Sequence, residues 1–175
     1  MARKRGGEHS ISPDSVKLVV AYIRLHPKTV QAVWDTVDEL DDVQWCDTSS
    51  ADSSYYDLLA RCWAEGETFV ILEQDKIPNQ RALRDLYDCP EPWCTYPVPM
   101  AHNGQPCDFV SLSCTKFGAE LLATRPDLMD RVGELDGGFG PKHWNRLDLV
   151  MAGQIGCTHR PHWHEAGRVD HEHQH

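Results

Sequence analysis

The stretch TFVILEQDKIP, from Thr68 to Pro78, decides how the rest of the sequence is interpreted. It begins with apolar and β-branched side chains that are typical of a buried strand, and it continues into Glu73-Gln74-Asp75. An ionised carboxylate is costly in apolar surroundings unless something pairs with it. Two acids at the mouth of a buried strand therefore indicate a bound cation, a catalytic role or an exposed turn.

Strand-like and helix-like patterns alternate around this stretch. VKLVVAYI, Val16 to Ile23, predicts a buried strand, and DVQWCDTSS predicts a shorter strand that ends in a polar loop. Apolar residues at helical spacing predict three intervening helices. They are Val30, Val33, Trp34, Val37 and Leu40 after His26-Pro27; Tyr55, Tyr56, Leu58, Leu59, Cys62 and Trp63 before Gly66; and Leu83, Leu86 and Tyr87 after Pro78-Asn79.

The alternation predicts an α/β fold: a single domain with a mostly parallel sheet sandwiched between helices. In such sheets, ligands bind outside the carboxyl ends of the strands, and Glu73 and Asp75 lie at one of these ends. The predicted domain covers residues 15–171. It is flanked by a disordered basic tail at 1–14 and by a histidine-rich end at 172–175.

The second half of the chain is less regular. The prolines between Cys89 and Pro106 predict a long irregular excursion, followed by a strand from Asp108 to Cys114. Further elements are predicted from caps and apolar spacing. They are a helix KFGAELLA capped by Thr115 or a neighbour, a short helix capped by Thr124 with Pro126 in its first turn, a glycine-rich loop from Leu135 to Pro141, and a last helix marked by Trp144, Leu147, Val150 and Met151.

Composition excludes several classes of function. The formal net charge of -10 disfavours tight binding to the phosphate backbone of nucleic acid, since the one basic cluster, Arg3-Lys4-Arg5, lies in the predicted tail. No apolar run reaches the ~20 residues of a membrane span. An odd count of 7 cysteines without a secretory signal predicts reduced thiols in a cytoplasm, that of the host if the protein is phage-encoded.

Two groups of side chains have the chemistry of metal ligands. Glu73 and Asp75 are two residues apart and would share a face if the strand geometry persisted; oxygen ligands of this kind suit Mg²⁺ or Mn²⁺. The alternative is a solvated loop. The C-terminal segment holds six of the 10 histidines. We favour His162 and His164 as metal ligands, because they lie nearer the folded body than the last residues of the chain.

Two further positions allow alternatives. Asp148 lies beside the packing face of the last helix, either as a solvent-facing residue or as a general base, and the helix pattern alone favours the former. Cys89 and Cys94 suggest zinc, but their spacing lacks a paired CxxC and no second cysteine pair follows, so a structural zinc site is not favoured. The chain also lacks GxxxxGK[ST], GxGxxG after the first strand and GxSxG, which removes support for P-loop hydrolysis, dinucleotide redox and serine esterase chemistry.

Together these features resemble the GT-A glycosyltransferases. FVILEQDKIP is similar to the hhhhEDDxxP segment of small bacterial and phage members. FVSLSCTKFGAELLA resembles the strand and helix that follow their acceptor-side loop, and HWNRLD resembles a late acidic position that often serves as the base in inverting members. The resemblance spans about Val16 to His171, and the EQD triplet is its one motif match.

The resemblance implies transfer of a sugar from a nucleotide-diphosphate sugar to a hydroxyl acceptor, with Mn²⁺ or Mg²⁺ as cofactor. By resemblance, Asp75 is the main metal ligand, and a late histidine, His162 or His164, completes the coordination. Glu73 and Tyr22 contact the nucleotide-sugar together with Asp75. Asp148 is the candidate base, and Gln74 is a spacer whose side chain faces away.

Two other functions stay open at this point. One is a non-enzymatic zinc-binding or assembly module that uses the cysteines and histidines, and the other is a metal-dependent hydrolase built from the same acids and histidines. The acceptor is also open among a small molecule, a glycan, a protein and a modified DNA base. Because 175 residues are few for this fold, a homo-oligomer or a partner protein is expected to complete acceptor binding.

Overall fold

A six-stranded sheet with strand order β2-β1-β3-β6-β5-β7 is the centre of the computed structural model. The structure describes residues 16–36, 42–102, 105–135, 140–165 and 169–171, and within them the backbone alone for 98–102, 105–110 and 171. The strands are β1 (Lys17–Tyr22), β2 (Val43–Asp47), β3 (Phe69–Glu73), β4 (Lys76–Pro78), β5 (Trp93–His102), β6 (Gln105–Phe117), β7 (His162–Trp163) and β8 (Val169–His171). The helices are α1 (Pro27–Thr36), α2 (Ser54–Glu65), α3 (Gln80–Asp88), α4 (Ala119–Thr124), α5 (Leu128–Glu134) and α6 (Trp144–Gly156).

The sheet has a parallel half and a half that contains antiparallel pairs. β1 is parallel to both β2 and β3, whereas β6 is antiparallel to both β3 and β5. The short β7 is parallel to β5 at the far edge. A separate two-stranded ribbon joins β4 to β8. The predicted α/β class is therefore confirmed, and three of the five strand pairs of the large sheet are parallel.

Both faces of the parallel strands are buried. Val19 and Ile71 contribute to one hydrophobic cluster with residues of α2, α4, α5 and α6. Leu18 and Leu72 contribute to a second cluster, on the other face, with residues of α1 and α3. All four side chains are 0% exposed, as expected for strands covered by helices on both sides. Polar groups are thereby confined to the strand ends.

The predicted irregular excursion between Cys89 and Pro106 is wrong. Most of it is β5, which pairs with β6 and is interrupted by an irregularity between Thr95 and Pro97. Pro97 and Pro99 are two residues apart, so their missing N–H groups lie on the same side of the strand. In the described residues, β7 pairs with β5 only at Cys94 and Thr95. Pro97 and Pro99 lie beyond this pairing, where a backbone N–H group is not required for a hydrogen bond to β7.

Two helix starts in the second half are also corrected. β6 continues to Phe117, so the helix predicted as KFGAELLA begins instead at Ala119, with Gly118 as its N-cap. The ring of Phe117 packs 5.6 Å from Trp63 and 5.3 Å from Phe69 between ring centroids, and this packing outweighs local helix preference. The next helix starts at Leu128 with Asp127 as its N-cap, not at Thr124 and Pro126.

Several local predictions of the first half are confirmed. α1 begins at Pro27, α2 ends before Gly66 with φ +72°, and Asn79 caps α3 by accepting hydrogen bonds from the Arg81 and Ala82 N–H groups. The predicted tails at 1–14 and 172–175, the helix positions Val37 and Leu40, and most of the glycine-rich loop lie outside the described residues. No helix in the described part of the chain has the length and apolar character of a membrane span.

Candidate active site

A cavity of about 660 Å³ lies at the carboxyl ends of β1, β2 and β3. Tyr22 ends β1, the polar loop that starts at Thr48 follows β2, and Glu73 ends β3. The first turns of α6 add Trp144, Asn145 and Asp148 to the lining. Parallel strands point their carboxyl ends to one edge of the sheet, and this shared direction brings residues far apart in sequence to one cavity.

Hydrogen bonds to Tyr22 fix the wall that the β2 loop provides. The Thr48 backbone N–H and the Thr48 hydroxyl both donate to the Tyr22 carbonyl, at 2.7 and 3.1 Å. The following residues, Ser49, Ser50 and Asp52, line the cavity and are exposed. The loop therefore presents hydroxyl and carboxylate groups on a backbone anchored to the end of β1.

Gln74 joins β3 to the loop after β1. Its side-chain oxygen accepts hydrogen bonds from the N–H groups of Ile23 and Arg24, at 2.5 and 2.6 Å, and its carbonyl accepts one from the Thr29 hydroxyl at 2.6 Å. Gln74 also lines the cavity. The prediction that Gln74 is only a spacer facing away is therefore wrong.

The start of α6 is held against the β2 loop. The Trp144 N–H donates to the Asp52 carbonyl at 3.2 Å, and His143 caps the helix by accepting a hydrogen bond from the Asn145 N–H at 3.2 Å. The other ring nitrogen of His143 lies 3.7 Å from the Asp52 carboxylate. These contacts hold the first turn of α6 at the cavity. The Trp144 side chain lines the cavity and is 49% exposed.

Two carboxyl groups of the cavity, those of Glu73 and Asp148, have raised pKa values. Burial raises the pKa of Glu73 to about 7; Lys76 lowers it, and Asp75 and Asp148 add to the increase. Burial likewise raises the pKa of Asp148. The buried Tyr55 hydroxyl lies next to them, and its pKa is well above the usual value because of burial and then the charges of Glu73, Asp148 and Asp75.

The cavity carries an excess of negative charge. Asp52, Glu73, Asp75 and Asp148 line it, and none of its lining residues within the described ranges is lysine, arginine or histidine. Lys76 lies 3.8 Å from Asp75, but its side chain is only 6% exposed. Such a cavity attracts cations and polyhydroxylated neutral groups, and it repels a bare phosphate.

The structure brings together four of the residues singled out from the sequence. Tyr22, Glu73, Asp75 and Asp148 all line this cavity. His162 and His164 do not: they line another cavity, of about 400 Å³, with Cys89. The expected pairing of Asp75 with His162 or His164 is thus not the arrangement of the fold, because β7 joins the sheet at β5, away from β3.

A different histidine lies near the acid triplet along the backbone. β8 pairs with β4 so that His171 is opposite Lys76, the residue that follows Asp75. Distance along the chain from the folded body favours His162 and His164 over the later histidines. Strand pairing, which returns the chain to β4, decides proximity instead.

The sequence did not identify Tyr55, Asp52 and Trp144 as residues of the cavity. A usable signal existed for Asp52, because the polar loop DTSSADSS follows a strand that is parallel to the one ending at Glu73, so both ends lie at the same edge. Tyr55 was assigned to the apolar stripe of α2. Its ring belongs to that stripe, and its hydroxyl reaches the acids.

No family model matches the sequence, and no curated protein matches it. Among solved structures, the chain is similar to a glycosyltransferase involved in the glycosylation of the major capsid of PBCV-1, at 12% identity and a TM-score of 0.49, over 86% of this chain and 82% of that one. It is also similar to A197 from STIV, at 7% identity and a TM-score of 0.45, over 77% and 78% of the two chains. Both similarities are distant and concern the course of the backbone only. The roles of individual residues are therefore argued from the geometry of the cavity.

The contacts of Gln74 predict a local effect on stability. We expect Gln74→Ala to lower the free energy of unfolding by about 1–2 kcal/mol, because the hydrogen bonds from the Ile23 and Arg24 N–H groups, which link two loops, are lost. Urea unfolding followed by circular dichroism measures the change. The matched control is Gln80→Ala, an exposed glutamine on α3, for which we expect a change within about 0.5 kcal/mol. Equal effects of the two substitutions would contradict the role assigned to Gln74.

The raised pKa of Glu73 predicts a pH dependence of stability. A carboxyl group with a pKa of about 7 in the folded protein and an ordinary value near 4.5 in the unfolded chain keeps its proton more tightly when folded, so its contribution to stability is lost as pH rises from 4.5 to 7. Glu73→Gln removes this loss. We expect the variant to be more stable than the parent at pH 8, with the gain shrinking as pH falls to 4.5, measured by urea unfolding. A gain that is the same at both ends of this range would contradict the assignment.

Proposed function

We propose that the protein is a metal-dependent glycosyltransferase that moves a sugar from a nucleotide-diphosphate sugar to a hydroxyl acceptor. The observation that carries the proposal is the convergence of Glu73, Asp75 and Asp148 at the carboxyl ends of the parallel strands, in a cavity whose described lining has no cationic side chain. The resemblance of FVILEQDKIP to the GT-A acid segment supports the same activity.

The donor set fits Mn²⁺ or Mg²⁺. The available ligands are carboxylate oxygens, which hard divalent cations prefer, and the repulsion between Glu73, Asp75 and Asp148 falls when such a cation binds. Asp75 would hold the ion, with Glu73 as a second contact. Bound there, the cation neutralises the charge of the diphosphate leaving group. The carboxylate oxygens of the three acids are not preassembled within 4.8 Å of one another, so we expect ion and diphosphate to bind together.

The remaining lining fits the donor's other parts. Tyr22 presents an aromatic side chain next to the hydroxyls of Ser49 and Ser50, a combination suited to a nucleoside's base and ribose. Trp144, which is half exposed and also lines the cavity, offers a ring surface for a sugar. The donor would thus lie across the strand ends, with its nucleoside towards β1 and β2.

Asp148 would accept the proton of the acceptor hydroxyl. It lies on α6 and lines the same cavity as Glu73, and burial raises its pKa, which makes its carboxylate a stronger base than an exposed aspartate. The Leu149 N–H donates to its Oδ1 at 2.8 Å and limits the rotation of the side chain. This role corresponds to an inverting transfer.

The metal dependence of the site can be tested before any sugar is known. We expect nucleoside diphosphates to bind the parent in the presence of Mn²⁺ and not in the presence of a chelator, by isothermal titration with a panel of nucleoside diphosphates. Asp75→Asn should weaken this binding at least about tenfold, whereas Asp35→Asn, an exposed aspartate on α1, should leave it unchanged. Equal binding by parent and Asp75→Asn would overturn the assignment.

The same binding assay compares how much different histidines contribute to Mn²⁺-dependent binding of nucleoside diphosphates. The register that places His171 opposite Lys76 makes His171→Ala the first variant to compare, with His162→Ala as the control from the other cavity. A loss of Mn²⁺-dependent binding in the first variant alone supports a contribution from the β8 segment. A loss in the second alone would contradict the placement of the metal at Asp75.

Substitution of Asp148 distinguishes an effect on donor binding from an effect on the rate of sugar transfer. We expect Asp148→Asn to bind Mn²⁺ and nucleoside diphosphate within about twofold of the parent and to lower the rate of donor consumption about 10²–10⁴-fold, the range of a lost general base. The measurement is release of nucleoside diphosphate from a panel of nucleotide-sugars with candidate acceptors. Release of free sugar without transfer would instead indicate a hydrolase, and an unchanged rate would exclude Asp148 as the base.

A further inference from the structure

Cys89, His162 and His164 form a cluster that the proposed transfer reaction does not use. One potential ligand atom from each residue, a sulfur and two ring nitrogens, lies within 4.8 Å of the others. No other group of three histidine, cysteine or acidic residues in the described part of the chain is as close. We propose that this cluster is a zinc site, separate from the acidic cavity.

The fold builds the cluster from two distant parts of the chain. Cys89 is the C-cap of α3 and is buried, with 7% of its surface exposed. His162 begins β7, which pairs with β5 at Cys94 and Thr95, and the His164 N–H donates to the Thr95 carbonyl at 3.0 Å. The two histidines are two residues apart in extended chain and therefore point to the same side, towards the end of α3.

The orientation of the His164 ring is set by its neighbours. The ring stacks on Tyr96 with 5.1 Å between ring centroids and an interplanar angle of 26°, and the Tyr96 hydroxyl donates to the Ala82 carbonyl of α3 at 3.2 Å. His162 meets His164 edge to face, with 5.0 Å between centroids. An imidazole held in this way loses little rotational freedom when it binds a metal.

The donor chemistry favours zinc over the cations expected at the acidic cavity. One thiolate and two imidazoles are the ligand types that zinc takes in proteins, whereas Mg²⁺ and Mn²⁺ prefer oxygen. Ligand atoms around tetrahedral zinc are roughly 3.3–3.8 Å apart, from metal–ligand bonds of about 2.0–2.3 Å, so small side-chain rotations close the site. Three protein ligands leave one position of a tetrahedral zinc for water, and the adjoining 400 Å³ cavity would give water access to it.

The charges around the cluster favour a cation. Asp85, Asp88, Glu91 and Glu165 line the same cavity, and Arg81 is the one basic residue besides the histidines among its described lining residues. The ammonium group of Lys116 is turned to the Cys89 carbonyl and is buried. A divalent cation next to the thiolate therefore enters a region of net negative charge.

A zinc ion here would fix the C-terminal part of the chain. β7 has two residues, both exposed, and a strand so short adds little stability by itself. Linking it to the end of α3 anchors the chain before it reaches β8, which pairs with β4 directly after the acid triplet. The ion is thus structural for the β7–β8 segment, and the proposal does not depend on the reaction at the other cavity.

The test uses the full chain without an affinity tag, purified under reducing conditions and loaded with Co²⁺ in place of Zn²⁺. We expect one cobalt per chain with a thiolate-to-cobalt charge-transfer band in the near ultraviolet and displacement by Zn²⁺. Cys89→Ser should remove the band, and Cys157→Ser, an exposed cysteine, should retain it. Cobalt binding by the parent without this band would overturn the proposal, because it would place the ion at the acids or at other histidines.

A second variant guards against misfolding of Cys89→Ser. His162 is exposed, so His162→Ala should fold normally, with an unchanged circular dichroism spectrum, yet bind zinc at least about tenfold more weakly in a competition assay with a chelating dye. His159→Ala is the control histidine outside the cluster. Zinc should raise the melting temperature of the parent and not that of His162→Ala. Unchanged zinc affinity in His162→Ala would overturn the proposal, and Asp75→Asn, which tests the other cavity, should keep the cobalt band.

Discussion

The parallel pairing of β1 with β2 and β3 is the constraint on which the rest of the structure depends. Helices cover both faces of the paired strands, so the residues from Phe69 to Leu72 are buried and Glu73 is the first residue of β3 at the edge of the core. The same pairing ends β1 at Tyr22 beside the loop after β2. In a parallel sheet that is buried on both faces, the polar side chains of these strands are confined to the strand ends. The carboxylates therefore converge because of burial and not because of a separate binding motif.

Hydrogen bonds hold together the loops and the helix start that line the acidic cavity. Gln74 ties the loop after β1 to the end of β3, Thr48 ties the loop after β2 to Tyr22, and the Trp144 N–H ties α6 to Asp52. Neutral hydrogen bonds of this kind position the acids without neutralising them. The raised pKa of Glu73 reflects burial that the nearby Lys76 does not fully offset.

Hard and soft metal ligands lie in different places in this fold. The carboxylates gather at the ends of β1, β2 and β3, whereas Cys89, His162 and His164 gather where β7 meets β5 and α3. The two proposed metal sites therefore share no residue, and their ligand types differ in the cations that they prefer. The C-terminal segment connects the two regions, since it runs through β7 and then returns to β4 beside the acid triplet.

The sequence by itself determined the α/β class, the strand–helix order of the first half and the position of Glu73 and Asp75 at a sheet edge, because burial on both faces and helical spacing leave periodic patterns in the residues themselves. The tertiary structure decided which distant segments pair and pack together, because periodic patterns carry no information on this. Pro97 and Pro99 belong to a strand that, in the described residues, pairs with β7 only at Cys94 and Thr95, and Phe117 extends β6 because its ring packs against Trp63 and Phe69. Which histidines meet Cys89, and that His171 rather than His162 returns to the acid triplet, follows from strand pairing between distant segments, and a pairing partner is a property of the folded chain that no local stretch of sequence encodes.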